Sequence, residues 1–433
     1  MEIVPDFGSE GSTEASLSSV VRGLVGSEIL RMAAEVRALI ASGVPICNLT
    51  VGDFDPKQFP IPDLLRDGTR EALARGETNY PPSDGLAVLR EAIVRFVARE
   101  QGLRYPVDAV LVASGARPLL YGVFRATIDP EDVVLYSVPS WNNNHYAHLS
   151  GARAVELPVH ETSNFFPTAA QIHPHLARAR LLVLNSPLNP TGTVIGRDAL
   201  AEIATLVVEE NLRRKATGRR ALFVLFDQVY GMLTFHGAVH TTPVEVAPEI
   251  APYTILLDAI SKSFAATGLR VGWGLMPPAL RRQTADLIGH VGAWAPRAEQ
   301  LATAALLDAP EVYRPWQAAM KEQLKRRLDL LFDGLMEMKR RGLPVDAVEP
   351  QGAIYLSAHL SLVGRTWKGE RIRTNEQIRK ILLDEAGFAA VPFQAFGPKE
   401  ETGWFRLSVG AVSPEEIARV LPRLEAVLRA AGC

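Results

Sequence analysis

Short runs of apolar, β-prone residues recur through the middle of this chain. Each is followed by a turn or by a stretch with helical spacing. The runs lie at 109–113, 132–137, 153–159, 181–185, 221–227, 254–257 and 271–275, with helical segments such as 118–126 and 200–212 between them. A strand that is apolar at nearly every position must be covered on both faces. The alternation therefore predicts an α/β domain with a mainly parallel central sheet flanked by helices. Open sheets of this kind collect their ligands at the carboxyl ends of the strands. The residues just beyond each run are thus the ones to read for chemistry.

The flanks have a different character. Helical spacing is read at 29–40, 62–74 and 86–100, with the loop NYPPSDG between the last two. Residues 298–339 form a long helix-rich connector, followed by strands at 345–348, 353–357 and 403–409 and helices at 375–385 and 414–430. This mixture predicts a second, smaller α+β domain, and 433 residues exceed one average domain. The expected division is a flexible segment 1–20, a large domain 62–310, and a small domain of 21–61 together with 311–433. The charge-rich stretch 209–220 (EENLRRKATGRR) reads as a solvated helix end and turn.

A net charge of −2 gives no reason to expect capture of nucleic acid or of a membrane surface. No apolar run approaches the ~20 residues that span a bilayer, and the polar N-terminal stretch does not read as a signal peptide. Two cysteines, Cys47 and Cys433, are too few for a disulfide framework or a zinc site, which fits a reducing, cytoplasmic setting.

The chemistry centres on 258–273 (DAISKSFAATGLRVGW), where Ser261 precedes Lys262 and Arg270 stands eight positions further on. A lysine in a poorly solvated setting loses part of its preference for charge and becomes a nucleophile toward carbonyls. Arg270 stays charged and offers a planar fork suited to phosphate. A nucleophilic amine beside a phosphate clamp is what pyridoxal 5′-phosphate requires.

Other strand ends add to this. Ser114, Gly115 and Ala116 open a helix after the first run, where free N–H groups suit a phosphate as well as an ordinary N-cap. NSPLNPTG presents Asn189 at the sheet edge, or simply makes an Asn-Pro turn. Asp227 ends an apolar strand with Tyr230 three residues on. A carboxylate there needs a partner, such as a pyridinium N–H or a turn amide, or burial leaves it neutral.

From about residue 46 to the C-terminus, the order of GDFDP, NYPPSDGLAVLREAI, SGAR, PSW, NSPLNPTG, DQVY, SKSFAATGLRVG, PQGAIY and FRLSVG resembles the class I/II aminotransferases. These are fold-type I pyridoxal-phosphate enzymes related to aspartate aminotransferase. The resemblance implies that Lys262 carries the cofactor as a Schiff base and that Asp227 keeps its ring nitrogen protonated. It implies that Tyr230 and Asn189 bond the ring oxygen and that Trp141 stacks on the ring. Gly115, Ala116, Arg117, Ser261 and Arg270 would surround the phosphate, with Tyr80 reaching it from a neighbouring subunit of a homodimer with shared active sites. Arg406 would grip the substrate α-carboxylate, Gly52 would lie against the substrate, and Trp141 and Asn189 would also face it. The implied reaction moves the amino group of an L-amino acid to a 2-oxo acid by way of pyridoxamine phosphate.

Some positions depart from the family pattern. Gln228 stands where many relatives have Glu, which bears on support of the loop. Ala259 replaces a frequent phosphate-binding hydroxyl, which shifts that task to Ser261, Arg117 and Arg270. Phe393 stands where relatives commonly have Gly, and its bulk is expected to narrow the substrate pocket. Segment 209–220 reads as a local extension. The same residue set would also serve a C–S β-lyase or a cyclopropane-forming synthase. A non-catalytic regulator would call for a DNA-binding helix-turn-helix and a basic patch, neither of which is read here. Tyr80, Trp141 and Phe393 favour an apolar or aromatic substrate side chain.

Overall fold

The computed structural model describes residues 10–431. Its central element is a seven-stranded sheet built from β1 (Val110–Ala113), β2 (Val133–Val138), β3 (Arg153–Pro158), β4 (Ala179–Asn185), β5 (Phe223–Asp227), β6 (Thr254–Ala259) and β7 (Gly272–Leu275). The strand order is β1-β7-β6-β5-β4-β2-β3. All pairings are parallel except those of β7, which runs antiparallel to both β1 and β6. Alternate residues face opposite layers: in β5, Val224 and Phe226 join one core while Leu225 joins the other, and all three are buried. The all-apolar runs are therefore what a sheet covered on both sides requires.

The helices that matter for the cleft are α1 (Glu28–Ala41), α2 (Ala116–Thr127) and α3 (Arg197–Ala216), followed by the 31-residue α4 (Pro310–Arg340) and α5 (Pro414–Ala430). Strands β8 (Val345–Ala347), β9 (Tyr355–Leu360), β10 (Val391–Pro392) and β11 (Trp404–Ser408) form a second, antiparallel sheet in the order β10-β11-β9-β8. A core of its own forms where Leu324, Leu328, Leu331 and Leu335 of α4 meet Ile417, Leu424 and Leu428 of α5. Their three- and four-residue spacing puts each set on one helix face. The start of α5 is fixed by a capping box. Glu416 N–H donates to Ser413 Oγ at 3.1 Å, and Glu416 Oε2 accepts from Ser413 N–H at 2.7 Å, with Pro414 at the first helical position. Cys47–Asn48 pairs in parallel with Phe388–Ala389, tying the stretch before Gly52 to the C-terminal part of the chain.

The structure differs from the sequence expectations in several places. The segment 1–20, expected to be loose, carries helix Glu10–Ser16 and the start of Ser19–Arg22, while residues 1–9 lie outside the described ones. The connector divides into helices Arg297–Leu307 and Pro310–Arg340, with a proline at the first turn of the second. Helices Asn143–Ser150 and Ala169–Leu176 were not anticipated; the second contains Pro174.

Segment 209–220 is not simply solvated. Arg214 is 2% exposed and makes four bonds: Nε to Glu210 Oε1 at 2.6 Å, Nη1 to Arg220 O at 3.0 Å, and Nη2 to Leu176 O and Ala179 O at 2.7 and 2.6 Å. Asn211 clamps Leu222 through both its N–H (2.8 Å) and its carbonyl (2.9 Å). The end of α3 is thus locked onto the amino ends of β4 and β5. Among the described residues, no helix is long and apolar enough to cross a membrane.

Candidate active site

The carboxyl ends of β1, β2, β4, β5 and β6 open, with α1 and β11, into one cleft of about 430 Å³. Parallel strands put these ends on the same edge, which is why residues far apart in sequence meet there.

At the floor, β5 ends in Asp227. Its Oδ1 accepts the Val229 N–H at 3.1 Å, and burial pushes its pKa up to about 6. The Asp227 carbonyl accepts from Asn185 Nδ2 at 2.8 Å, and Asn185 Oδ1 accepts the Asn189 N–H at 3.0 Å. A single side chain thus couples the DQVY turn to NSPLNPTG. Beyond β6 comes Lys262, whose Nζ donates to Gly52 O at 2.5 Å. Burial lowers its pKa to about 8. The charges of Arg406, Arg117 and Arg270 act in the same direction, and Asp53 opposes them. An amine of this kind is available as a neutral nucleophile at mildly basic pH.

The cleft offers two separate seats for anions. The first lies where β1 gives way to α2. Gly115 has φ +92°, and a Cβ there would collide with the Arg270 guanidinium. No side chain caps the helix, so its first N–H groups are open. Arg270, itself at φ +56°, is aimed by bonds from Nη1 to Thr267 O at 2.6 Å and Nη2 to Ser114 O at 3.0 Å. Among the described residues neither Arg270 nor Arg117 has a carboxylate partner, and the Arg117 guanidinium lies 5.1 Å from the centroid of the Trp141 ring. Open helix N–H groups beside two unpaired guanidinium groups suit a phosphate.

The second seat is Arg406. It is 1% exposed and held between the rings of Tyr355 (4.7 Å) and Phe396 (5.0 Å). Nη2 donates to Thr50 O at 2.6 Å and Nη1 to Asn189 Oδ1 at 3.3 Å, while the buried Nε has no partner among the described residues. A fixed guanidinium with an unused donor is a seat for a carboxylate.

Of the residues singled out from sequence, Gly52, Ala116, Arg117, Trp141, Asn189, Asp227, Tyr230, Ser261, Lys262, Arg270 and Arg406 all line this cleft. Gly115 backs Arg270. Tyr80 does not line the cleft: it is 81% exposed and meets Trp294 edge-on at 5.2 Å. Phe393 does not narrow the pocket as expected. It is buried in an aromatic cluster with Phe165, Phe396 and Trp404, where its ring finds apolar partners away from the cleft. Ala259 does reach the cleft. Gln228 is buried, with Oε1 3.1 Å from His240 Nε2, and braces the loop after β5. Sequence reasoning missed Tyr355, Phe396, Asn185 and Asp53. Tyr355 lay within PQGAIY and Asp53 within GDFDP, but nothing local distinguishes a cleft residue from a core one.

The fold thus brings a buried lysine of lowered pKa and two anion seats to one cleft of an α/β sheet, an arrangement suited to nucleophilic chemistry on an anionic ligand. Residues 44–424 match the family model described as Aminotransferase class I and II, and the chain belongs to that family. It is 31% identical to the aspartate aminotransferase of Rhizobium meliloti (strain 1021), over 92% of this chain and 93% of that one. It is also 31% identical to the aspartate/prephenate aminotransferase of Thermus thermophilus, over 95% and 98%. The solved aspartate aminotransferase of Rhizobium meliloti superposes with a TM-score of 0.87 at 27% identity, covering 96% of this chain and 100% of that one. The protein is accordingly an aminotransferase, moving amino groups between amino acids and 2-oxo acids. Its family implies pyridoxal 5′-phosphate as cofactor.

Proposed function

We propose that this cleft binds pyridoxal 5′-phosphate on Lys262 and transaminates a dicarboxylic amino acid of the aspartate type. The residues fit the cofactor. Arg270, Arg117, Ser261 and the open N–H groups at Ala116 would take its phosphate, and Gly115, lacking a Cβ, lets the Arg270 guanidinium stand beside them. Asp227 would face the ring nitrogen, Tyr230 and Asn189 the ring oxygen, and Trp141 the ring face. When bound, the cofactor supplies an electrophilic carbonyl and a ring that withdraws electrons from the substrate Cα.

The chain's own residues do the rest. Asp227, ionised above its pKa of about 6, holds a proton at the ring nitrogen facing it. Arg406 pins the α-carboxylate and so orients the Cα–H bond. Lys262, once its amine is free, takes the Cα proton and returns it to the neighbouring carbon as general base and acid.

Two features support the dicarboxylic reading. The relatives above are named for aspartate, and the Thermus thermophilus enzyme has been solved with maleate. In this chain Arg37 of α1 lines the cleft, is exposed, and has no carboxylate partner among the described residues. A second reading, an apolar or aromatic donor, is favoured by Ile29, Leu30, Ala33 and Leu120, which line the same region. A kcat/KM panel separates them. Aspartate and glutamate are expected to exceed phenylalanine and leucine, and Arg37→Ala to lower kcat/KM for aspartate roughly tenfold, on the order of one charge-assisted bond, while leaving alanine unchanged. Phenylalanine leading the panel would overturn the dicarboxylic reading.

We also propose a homodimer in which Tyr80, too exposed to serve its own cleft, reaches the phosphate seat of the other subunit. Sedimentation at the mass of a single chain would remove that reading. Residues 62–310 would form a large cofactor-binding unit and 21–61 with 311–433 a smaller one, the latter supported by the core between α4 and α5. A cytoplasmic location is in keeping with the free, buried thiol of Cys47.

A further inference from the structure

The hydroxyls of Tyr230 and Tyr355 lie 2.7 Å apart, with the rings edge-on at 5.6 Å. Tyr230 and Tyr355 are 3% and 1% exposed, and both line the cleft. Burial raises both phenols above their ordinary range, so each oxygen keeps its proton. Two neutral hydroxyls own two protons, and only one of these can lie between them.

The ring oxygen that Tyr230 would face decides which. Among the described residues neither hydroxyl has another hydrogen-bond partner, and beside Tyr355 stands Arg406, a donor with nothing to accept. If Tyr230 donated to Tyr355, it would have no proton left for the ring oxygen it faces in the reading above. If Tyr355 donates, the Tyr230 proton is free to turn into the cleft toward a bound oxygen.

We propose that Tyr355 is a positioning residue: its hydroxyl donates to Tyr230 and thereby commits the Tyr230 hydroxyl to donate into the cleft, while its ring braces Arg406. One side chain then links the seat for the α-carboxylate to the group that faces the ring oxygen. Gly52 belongs to the same arrangement, because a Cβ there would come within 2.7 Å of the Tyr355 oxygen. The inference rests on the reading that Lys262 carries pyridoxal 5′-phosphate with Tyr230 at its ring oxygen.

The test uses Tyr355→Phe, which removes the hydroxyl and keeps the ring. A donor hydroxyl that is itself hydrogen-bonded stabilises negative charge on its acceptor more strongly. In the protein loaded with pyridoxal 5′-phosphate, the pH at which the visible absorption band changes should therefore rise, by about half a unit. KM for the donor should stay within about twofold, since the ring against Arg406 is retained. Tyr230→Phe should raise the same midpoint further, and the double variant should match Tyr230→Phe alone, because Tyr355 acts only through Tyr230. An unshifted midpoint in Tyr355→Phe, or shifts that add in the double variant, would overturn the proposal. Failure of the wild-type protein to take up the cofactor at Lys262 is a different outcome: it overturns the underlying functional reading and this inference with it.

Discussion

Lys262→Ala is expected to abolish turnover for practical purposes, lowering kcat by at least roughly 10²–10⁴-fold, the range of a lost general base alone. The loss of the covalent anchor adds to this. The fold should survive, because among the described residues the one hydrogen bond the side chain makes is to Gly52 O. The wild-type lysine should also betray its setting. With a pKa lowered to about 8 by burial, its neutral form predominates above that pH. The rate at which the cofactor-free protein takes up pyridoxal 5′-phosphate should therefore climb with pH and level off near 8. A solvated lysine would not level until about 10.4. Borohydride reduction of the loaded protein should leave the cofactor mass on the peptide that contains Lys262. Mass on another lysine, or a Lys262→Ala protein with ordinary turnover, would end the functional assignment.

Arg214→Ala is expected to be the most damaging change away from the cleft, at about 3–5 kcal/mol of unfolding free energy. The substitution leaves the carbonyls of Leu176, Ala179 and Arg220 without a buried donor and removes one partner of the buried Glu210. Arg213 makes an informative control. It also binds Glu210, at 2.8 Å, but its side chain is 50% exposed. Its loss should cost under about 1 kcal/mol. Urea unfolding of the two variants, compared at equal slope, checks this. Equal midpoints for Arg213→Ala and Arg214→Ala would mean that the network at the end of α3 does not carry the stability assigned to it.

These two residues mark how far a sequence can be read. Lys262 was legible because its signal is local: small and apolar neighbours, an arginine eight positions on, and a place just past an apolar run. Asp227, Asn189 and the Ser114–Ala116 turn were legible for the same reason. Arg214 was not. Seven charged residues in twelve, as in 209–220, describe a solvated helix end just as well. Whether one of them is buried depends on which carbonyls the end of α3 meets, and those belong to Leu176 and Ala179, more than thirty residues away. Phe393 erred in the opposite direction. Its bulk was evident, but the direction it would point was not, since the rings that receive it come from Phe165 and Trp404.

By itself, the sequence determined the alternation of strands and helices, and with it the parallel sheet and the edge at which ligands gather. Period and turn chemistry act over a few residues, and a parallel sheet brings the ends of its strands together whatever lies between them. Only the tertiary structure decided that Tyr355 meets Tyr230, that Phe396 and Tyr355 enclose Arg406, and that Tyr80 stays out of its own cleft. The first of those contacts joins segments more than a hundred residues apart and the others depend on burial, which is a property of the packed chain, not of any stretch within it.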